Sequence, residues 1–376
     1  MRQLVIGRQQ LALHRCLYSR SILDMLEMLA GGEPVRKLGK TELGKVGQAT
    51  DWLKAKSDAE QGFYEFVARK HRELDFLTLD LRTLVGLCQD FNIEYEKLLD
   101  GERKNVKTAL KEIFAYEQFG RGKRPTYVRA LRCWKWVDCS HTWGAWHFLR
   151  HLDVRTCCYC NAETVFSLLL DQPRPGNGGG DARKNLARFK RSAFDHYICH
   201  LTYPAFGLSL YNLVPACTRC NTNVRGSQEL DYFQNIRPYE ESFDNFFRFR
   251  YVLVSNGVFS PEIQDSAVKL EVVRNTHSQY RVCARGMNTA YFFHLKEVYN
   301  QLYLREAVDV IRRRAMIPDE RRRDLERHYP LIDKTVLERV LWGVDLKREN
   351  INQYRLGKMT LDLMEEMGVD VNDPLR

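Results

Sequence analysis

The sequence predicts an α+β protein with a short-stranded, metal-knuckled centre between mostly helical flanks. Three observations carry this. Apolar residues recur at three- and four-residue steps through much of residues 9–120, and residues 288–314, 317–328, 333–342 and 351–367 read as further helices. Two Cys-x-x-Cys pairs, Cys157/Cys160 and Cys217/Cys220, bracket the middle. Residues 247–254 and 268–273 alternate apolar and polar side chains, as two strands would.

At 376 residues the chain is long enough for two or three domains. The composition shifts suggest a helical region at 1–120, a central module at 121–245 with its core at 155–228, and a region at 246–376 with a small β segment and then helices. Apolar content of 44% and charged content of 28% suit a globular protein. No apolar run approaches a membrane span, so no membrane partner is expected. Eleven cysteines, an odd number with two knuckles among them, point to a reducing, cytoplasmic setting and to metal rather than disulfides.

The net charge of +10 is concentrated. Residues 1–120 carry 19 basic and 18 acidic side chains, residues 121–200 carry 14 and 6, and residues 201–376 carry 25 and 24. A positive field confined to the segment that leads into the knuckles attracts a polyanion, and nucleic acid is the obvious partner.

In chain order, Met1–Ser21 bears arginines and no acids, but lacks the apolar core of a secretory signal. It reads as a strand at Leu4-Val5-Ile6 and the start of a helix that Gly31-Gly32-Glu33-Pro34 stops. Further helices are expected near 41–56, 58–76, 77–90 and 103–119. Trp134, Trp136, Trp143 and Trp146 then fall among Arg129, Arg132, Lys135, Arg150 and Arg155. Such a mixture serves a nucleic-acid groove or a Trp-rich core; the core is the better reading for the rings, and phosphate contact for the cations. Thr164–Leu170 is an apolar strand or short helix. A Pro/Gly-rich loop at 171–180 follows, and after it a basic run, Arg183, Lys184, Arg188, Lys190 and Arg191, placed to meet nucleic acid.

Each Cys-x-x-Cys bends round one ion and supplies two sulfurs, so Cys157, Cys160, Cys217 and Cys220 together make a closed, four-thiolate structural zinc site. The 56-residue spacer must form its own structure and return. Cys158 is expected to point away. Between the pairs lie Asp195 and His196. A hard cation, Mg²⁺ or Mn²⁺, takes oxygen ligands such as Asp195 and the side-chain carbonyl of Asn221. A neutral imidazole takes a proton from water. Together these describe metal-assisted phosphodiester hydrolysis. A zinc-stabilised, non-catalytic nucleic-acid-binding module is the alternative.

The order Cys157/Cys160, Asp195-His196, Asn212-Leu213-Val214-Pro215, Cys217/Cys220-Asn221 resembles the HNH endonucleases, whose centre is the ββα-metal fold. The resemblance implies that His196 is the general base, that Asn212 orients its ring, that Asp195 and Asn221 hold the divalent ion, and that the four cysteines bind zinc. It covers about residues 155–245. Within the family, Tyr203-Pro204, Leu208–Pro215, Arg237-Pro238-Tyr239 and Phe243-Asp244 look like the Septu-type and retron-associated anti-phage effectors. That likeness implies a defence role beside a separate ATPase partner, since this chain has no Walker sequence. Two positions depart from the pattern. Cys199-His200 stands where those effectors carry Pro-Lys, which leaves His200 as the phosphate contact, and Asn221 replaces the usual His. Arg225 lies on the expected metal-covering helix, within reach of phosphate. Sequence does not separate DNA from RNA, although DNA is favoured.

Overall fold

The computed structural model describes residues 3–40, 46–170, 189–255, 267–275, 280–369 and 371, and its fold is mixed α+β. The chain forms two compact units, each assembled from separated stretches. One comprises Val5–Leu152 and Phe166–Val214; the other comprises Met1–Leu4, Asp153–Val165 and Pro215–Arg376. This differs from a division into three consecutive segments. The physical reason is that the middle of the chain contributes side chains to both cores.

The first unit opens with α1 (Arg8–Ala30), which buries Tyr18, Ile22, Met25, Leu26 and Leu29 along one face. Strands β1 (Val35–Lys40) and β2 (Val46–Leu53) follow, then α2 (Asp58–Leu74), α3 (Leu81–Glu96), α4 (Asp100–Ile113) and the short α5 (Tyr116–Gly120). Ser57 caps α2 by accepting from the Glu60 N–H, and Asp80 caps α3 by accepting from Thr83. Of the helix expected at 41–56, residues 46–53 are instead β2, and residues 41–45 lie outside the described residues. Gly44 and Gly47 weaken a helix there, whereas Thr50 and Trp52 suit a pleated surface. Leu4-Val5-Ile6 is not a strand; Leu4 gives its N–H to the Pro238 carbonyl at 2.7 Å.

Strands β3 (Lys123–Val128) and β4 (Cys133–Asp138) form a hairpin that completes a sheet of order β2-β1-β4-β3. β1 and β4 run parallel, and the other pairs are antiparallel. After α6 (Ala145–His151) come three further short strands, β5 (Ser167–Leu169), β6 (Phe189–Arg191) and β7 (Phe194–His196). β5 pairs with β6. Trp134, Trp143 and Trp146 are buried and Trp136 is half-buried, so the rings serve the core.

Phe206 shows why the helical region is not a separate domain. Its ring meets Phe91 at 5.1 Å and Phe76 at 5.5 Å, inside the core of α2, α3 and α4. Next to it, Leu210 donates to the Leu77 carbonyl at 3.0 Å.

His14 ties the same loop to α1. Its Nε2 donates to the Leu208 carbonyl at 2.9 Å, and its Nδ1 accepts from the Trp143 indole at 3.0 Å. Burial lowers this imidazole from its ordinary 6.5 to about 4, against smaller raising effects from the Leu208 carbonyl and Asp75. The unfolded chain therefore binds a proton near pH 6.5 that the folded chain refuses until about pH 4. Stability is thus present above 6.5, falls as pH drops between those values, and levels off below. The loss should reach ~3 kcal/mol, at about 1.4 kcal/mol per pH unit. Urea unfolding at pH 7 and pH 4.5 should show a flatter pH slope for His14→Gln than for the wild type; equal slopes would refute it.

In the second unit, β9 (Phe247–Leu253) and β10 (Val268–Arg274) pair antiparallel, from Phe247 opposite Arg274 to Leu253 opposite Val268. Helices α7 (Tyr280–Phe292), α8 (Leu295–Leu302), α9 (Leu304–Met316), α10 (Asp319–His328), α11 (Lys334–Trp342) and α12 (Gly357–Glu366) follow. The stretch 288–314 is broken where His294 takes a left-handed conformation at φ 50° and again at Tyr303. α10 buries no residue, and Arg314 pairs with Asp319 at 3.0 Å, as on a solvated face.

This unit also holds a buried ionic cluster. The Lys358 ammonium lies 2.9 Å from Asp362 and 3.0 Å from Asp244, and Arg348 lies 2.6 Å from Asp244 and 3.0 Å from Asp362. Burial opposes the charge on Asp244, but Lys358 and Arg348 outweigh it and hold the carboxyl well below its usual range. Mutual pairing lets four charges stay inside, and loss of any one leaves an uncompensated partner. Among the described residues, no helix is long and apolar enough to cross a membrane.

Candidate active site and metal centre

The metal centre lies wholly in the second unit. Cys157, Cys160, Cys217 and Cys220 are all buried, with their sulfurs within 4.8 Å of one another. The Sγ atoms of Cys160 and Cys217 are 3.9 Å apart. A zinc tetrahedron with bonds of about 2.3 Å has edges of about 3.8 Å, so the donor set fits zinc. The two knuckles close alike. Asn161 donates its N–H to the Cys157 carbonyl, and Asn221 donates to the Cys217 carbonyl, both at 2.9 Å. The Cys220 N–H points at the Cys217 sulfur, 3.4 Å away. The strands that carry the knuckles meet where Cys158 donates to the Pro215 carbonyl at 3.1 Å. Hydrogen bonds from Cys157, Cys217 and Cys220 pull Cys160 well below the usual thiol range. Four buried sulfurs gathered in one cluster are a soft-cation site in chemical terms. Cys158 is outside the cluster, and burial pushes its thiol up to about 12, so it stays neutral.

Asn161 does more than close a turn. It adopts φ 55°, a left-handed conformation that Asn tolerates better than most residues. Its carboxamide donates to Thr156 Oγ1 at 2.8 Å and to the Ile351 carbonyl at 3.1 Å, and accepts from the Lys358 N–H at 2.8 Å. Its own carbonyl accepts from Leu356. The first knuckle is thereby fastened to the C-terminal stretch 351–358. Tyr299 adds a hydrogen bond to the Cys160 carbonyl at 2.7 Å. The sequence offered one signal for this role, the repeated Asn after each knuckle.

Asp195, His196 and Asn212 belong to the first unit. Asp195 and His196 end β7, which pairs with β8 (Leu213–Pro215), directly after Asn212. The Tyr197 N–H meets the Asn212 carbonyl at 2.9 Å. Asp195 is 4% and His196 7% exposed. The imidazole Nε2 lies 3.0 Å from the Gly207 carbonyl. A carbonyl only accepts, so Nε2 carries the proton and Nδ1 is the basic nitrogen of the neutral ring. The ring is flanked by Tyr116, edge-on at 4.5 Å, and by His200 at 4.2 Å.

The Asn212 side chain bonds to backbone groups of the preceding loop. Its Oδ1 accepts from the Ile198 N–H at 2.6 Å, and its Nδ2 donates to the Ile198 and Phe206 carbonyls at 3.1 and 3.0 Å. Both amide protons are therefore spent on backbone. They fix the 198–207 loop, and the loop's Gly207 carbonyl holds the ring. Tyr116 is the residue that sequence reasoning missed. It lies on α5, far from the motif in the chain. A cleft of about 150 Å³ lined by Lys111, Tyr116, His200 and Gly207 opens beside it, with Glu112 and Glu117 on its wall.

The expected nucleic-acid contacts divide. Arg183, Lys184 and Arg188, and the loop at 171–180, lie outside the described residues. Lys190 is exposed on β6. Arg191 is half-buried, donating to the Ser192 carbonyl at 2.8 Å and lying over the Phe194 ring at 5.3 Å. Arg225, expected within reach of phosphate, is 3% exposed, and its Nε donates to the Gln228 carbonyl at 3.1 Å, bracing the turn after the helical segment. That segment, Arg219–Arg225, is a π-helix and carries half-buried Asn221 in the second unit. Comparison with protein-family models, curated proteins and solved structures finds no match.

Proposed function

We propose that the chain is a metal-dependent endonuclease of the HNH type, hydrolysing phosphodiester bonds of nucleic acid, with DNA favoured. The observation that carries this reading is the state of His196. Its ring is held at Nε2 by the Gly207 carbonyl, 3.0 Å away, and flanked by Tyr116, on a strand that also carries buried Asp195. In this reading Nδ1 takes the proton of the attacking water. The buried Asp195 carboxylate is an oxygen donor suited to Mg²⁺ or Mn²⁺. Such an ion, when bound, would stabilise charge on the phosphate oxygens. The zinc site holds its own unit together. A defence role with a separate ATPase partner rests on the resemblance to anti-phage effectors alone.

Divalent-ion dependence separates this reading from the binding module. A mild chelator that leaves the buried zinc in place should stop cleavage and spare nucleic-acid binding. Cleavage that persists after the treatment would contradict the proposed mechanism.

A further inference from the structure

Helix α4 carries a row of lysines. Lys104, Lys107 and Lys111 stand three and four residues apart, on a helix face turned away from the buried Val106, Leu110 and Ile113. Lys104 and Lys111 are exposed; Lys107 is half-buried, its ammonium 4.8 Å over the Tyr95 ring. Among the described residues none of the three forms an ion pair, whereas Lys70 on α2 pairs with Asp90 at 2.8 Å and Lys97 with Glu94 at 2.7 Å. Like charges at this spacing repel, so the row does nothing for the helix itself. Burial, and then the Arg103 charge, lower the Lys107 ammonium from its ordinary range, against a raising effect from Cys199. The three lysines line a groove of about 350 Å³ together with Leu201 and Pro204 of the 198–207 loop. With Arg103 they make four cations there against one acid, Asp100, which lies 3.7 Å from the Arg103 guanidinium. Arg103 is spent on the Tyr95 and Leu98 carbonyls at 3.1 and 3.2 Å, which leaves the lysines as the free cations of the groove. At its inner end the groove shares Lys111 and Pro204 with the cleft beside His196.

We infer that this groove is the track along which the phosphate backbone of a nucleic-acid strand reaches the His196 cleft. Unpaired ammonium groups meet a polyanion without first giving up a carboxylate partner. A phosphate beside Lys107 would also restore its charged form, since a nearby opposite charge favours it. From Lys104 to Lys111 the helix rises about 10.5 Å, at ~1.5 Å per residue. One strand of B-DNA advances about 3.4 Å per phosphate, so the row matches roughly three phosphates. Leu201, 59% exposed, offers apolar surface beside the cations. Beyond Lys111 the cleft wall turns acidic at Glu112 and Glu117, so the basic row ends at the cleft. The contact is with phosphate alone, which single strands and duplexes share, and it positions the strand without reading its sequence. A phosphate backbone is favoured over an acidic polypeptide by where the groove leads, to the imidazole of His196; in this the inference rests on the nuclease reading, and it deepens that reading by naming the residues that hold the substrate.

The test is binding of short labelled DNA, single-stranded and duplex, to the full chain across a salt series without added divalent ion, read by fluorescence anisotropy. The triple variant Lys104→Gln/Lys107→Gln/Lys111→Gln keeps most of each apolar stem and should melt like the wild type. Its slope of log affinity against log salt should be shallower by about 2.7 on duplex and about 2.1 on single strand, at ~0.9 and ~0.7 per neutralised phosphate. A fall on one probe alone assigns the track to that form. Taking three exposed arginines from α10, as Arg321→Gln/Arg323→Gln/Arg327→Gln, should leave both slopes unchanged. Unchanged slopes on both probes in the lysine variant, an equal fall in the arginine variant, or no binding by the wild type would each overturn the track. Polyglutamate bound as tightly as the DNA and with the same lysine dependence would overturn the choice of nucleic acid. Cleavage with magnesium is scored separately, and there the lysine variant should raise KM more than it lowers kcat. Lysine-dependent DNA binding by a chain that never cleaves would sink the nuclease reading alone. His196-dependent cleavage with an unchanged KM in the lysine variant would sink the track alone.

Discussion

Cys217→Ser should release zinc and unfold the second unit. Four buried sulfurs face one another there, and a structural zinc contributes about 10–16 kcal/mol of apparent binding free energy at neutral pH in small zinc domains. Three thiols and a hydroxyl hold it far more weakly. The damage should spread, because Asn161 at the first knuckle anchors Ile351, Leu356 and Lys358. The expected result is loss of bound zinc by elemental analysis and a large fall in thermal stability. Cys158→Ser is the control. That thiol is outside the cluster and neutral, so the variant should keep its zinc. A Cys217→Ser protein with full zinc content and unchanged melting would refute the assignment.

His196→Gln should fold and fail to cleave. Glutamine can still donate to the Gly207 carbonyl, but it has no basic nitrogen. Loss of a general base costs on the order of 10²–10⁴-fold in rate. His196→Ala should lose a similar amount, with some added destabilisation from the space left between Tyr116 and His200. Circular dichroism and zinc content should match the wild type for the glutamine variant. A fully active variant would remove His196 from the mechanism.

The parts legible in the sequence were those set by short-range rules. Cys-x-x-Cys spacing located the four cysteines that the fold draws together, because two residues are just enough to turn a chain round an ion. Period-two alternation located β9 and β10, and helical spacing located most of α1 to α4. What sequence missed depends on distant contacts. Strand β2 was read as part of a helix because Gly-broken polar stretches carry little period. The burial of Arg225, read in the sequence as within reach of phosphate, has no local signal either. Tyr116 reaches His196 across some eighty residues of chain, and no spacing rule spans that gap. The contact of Phe206 with Phe76 and Phe91, residues more than a hundred positions away, likewise has no local signal.

The most direct test is to incubate the purified chain with magnesium or manganese, giving it supercoiled plasmid and total transfer RNA in parallel, beside His196→Ala. The account predicts plasmid nicking that disappears in the variant. RNA fragmentation that disappears in the variant would keep the nuclease and contradict the preference for DNA. Cleavage of either substrate that persists in His196→Ala would contradict the central claim.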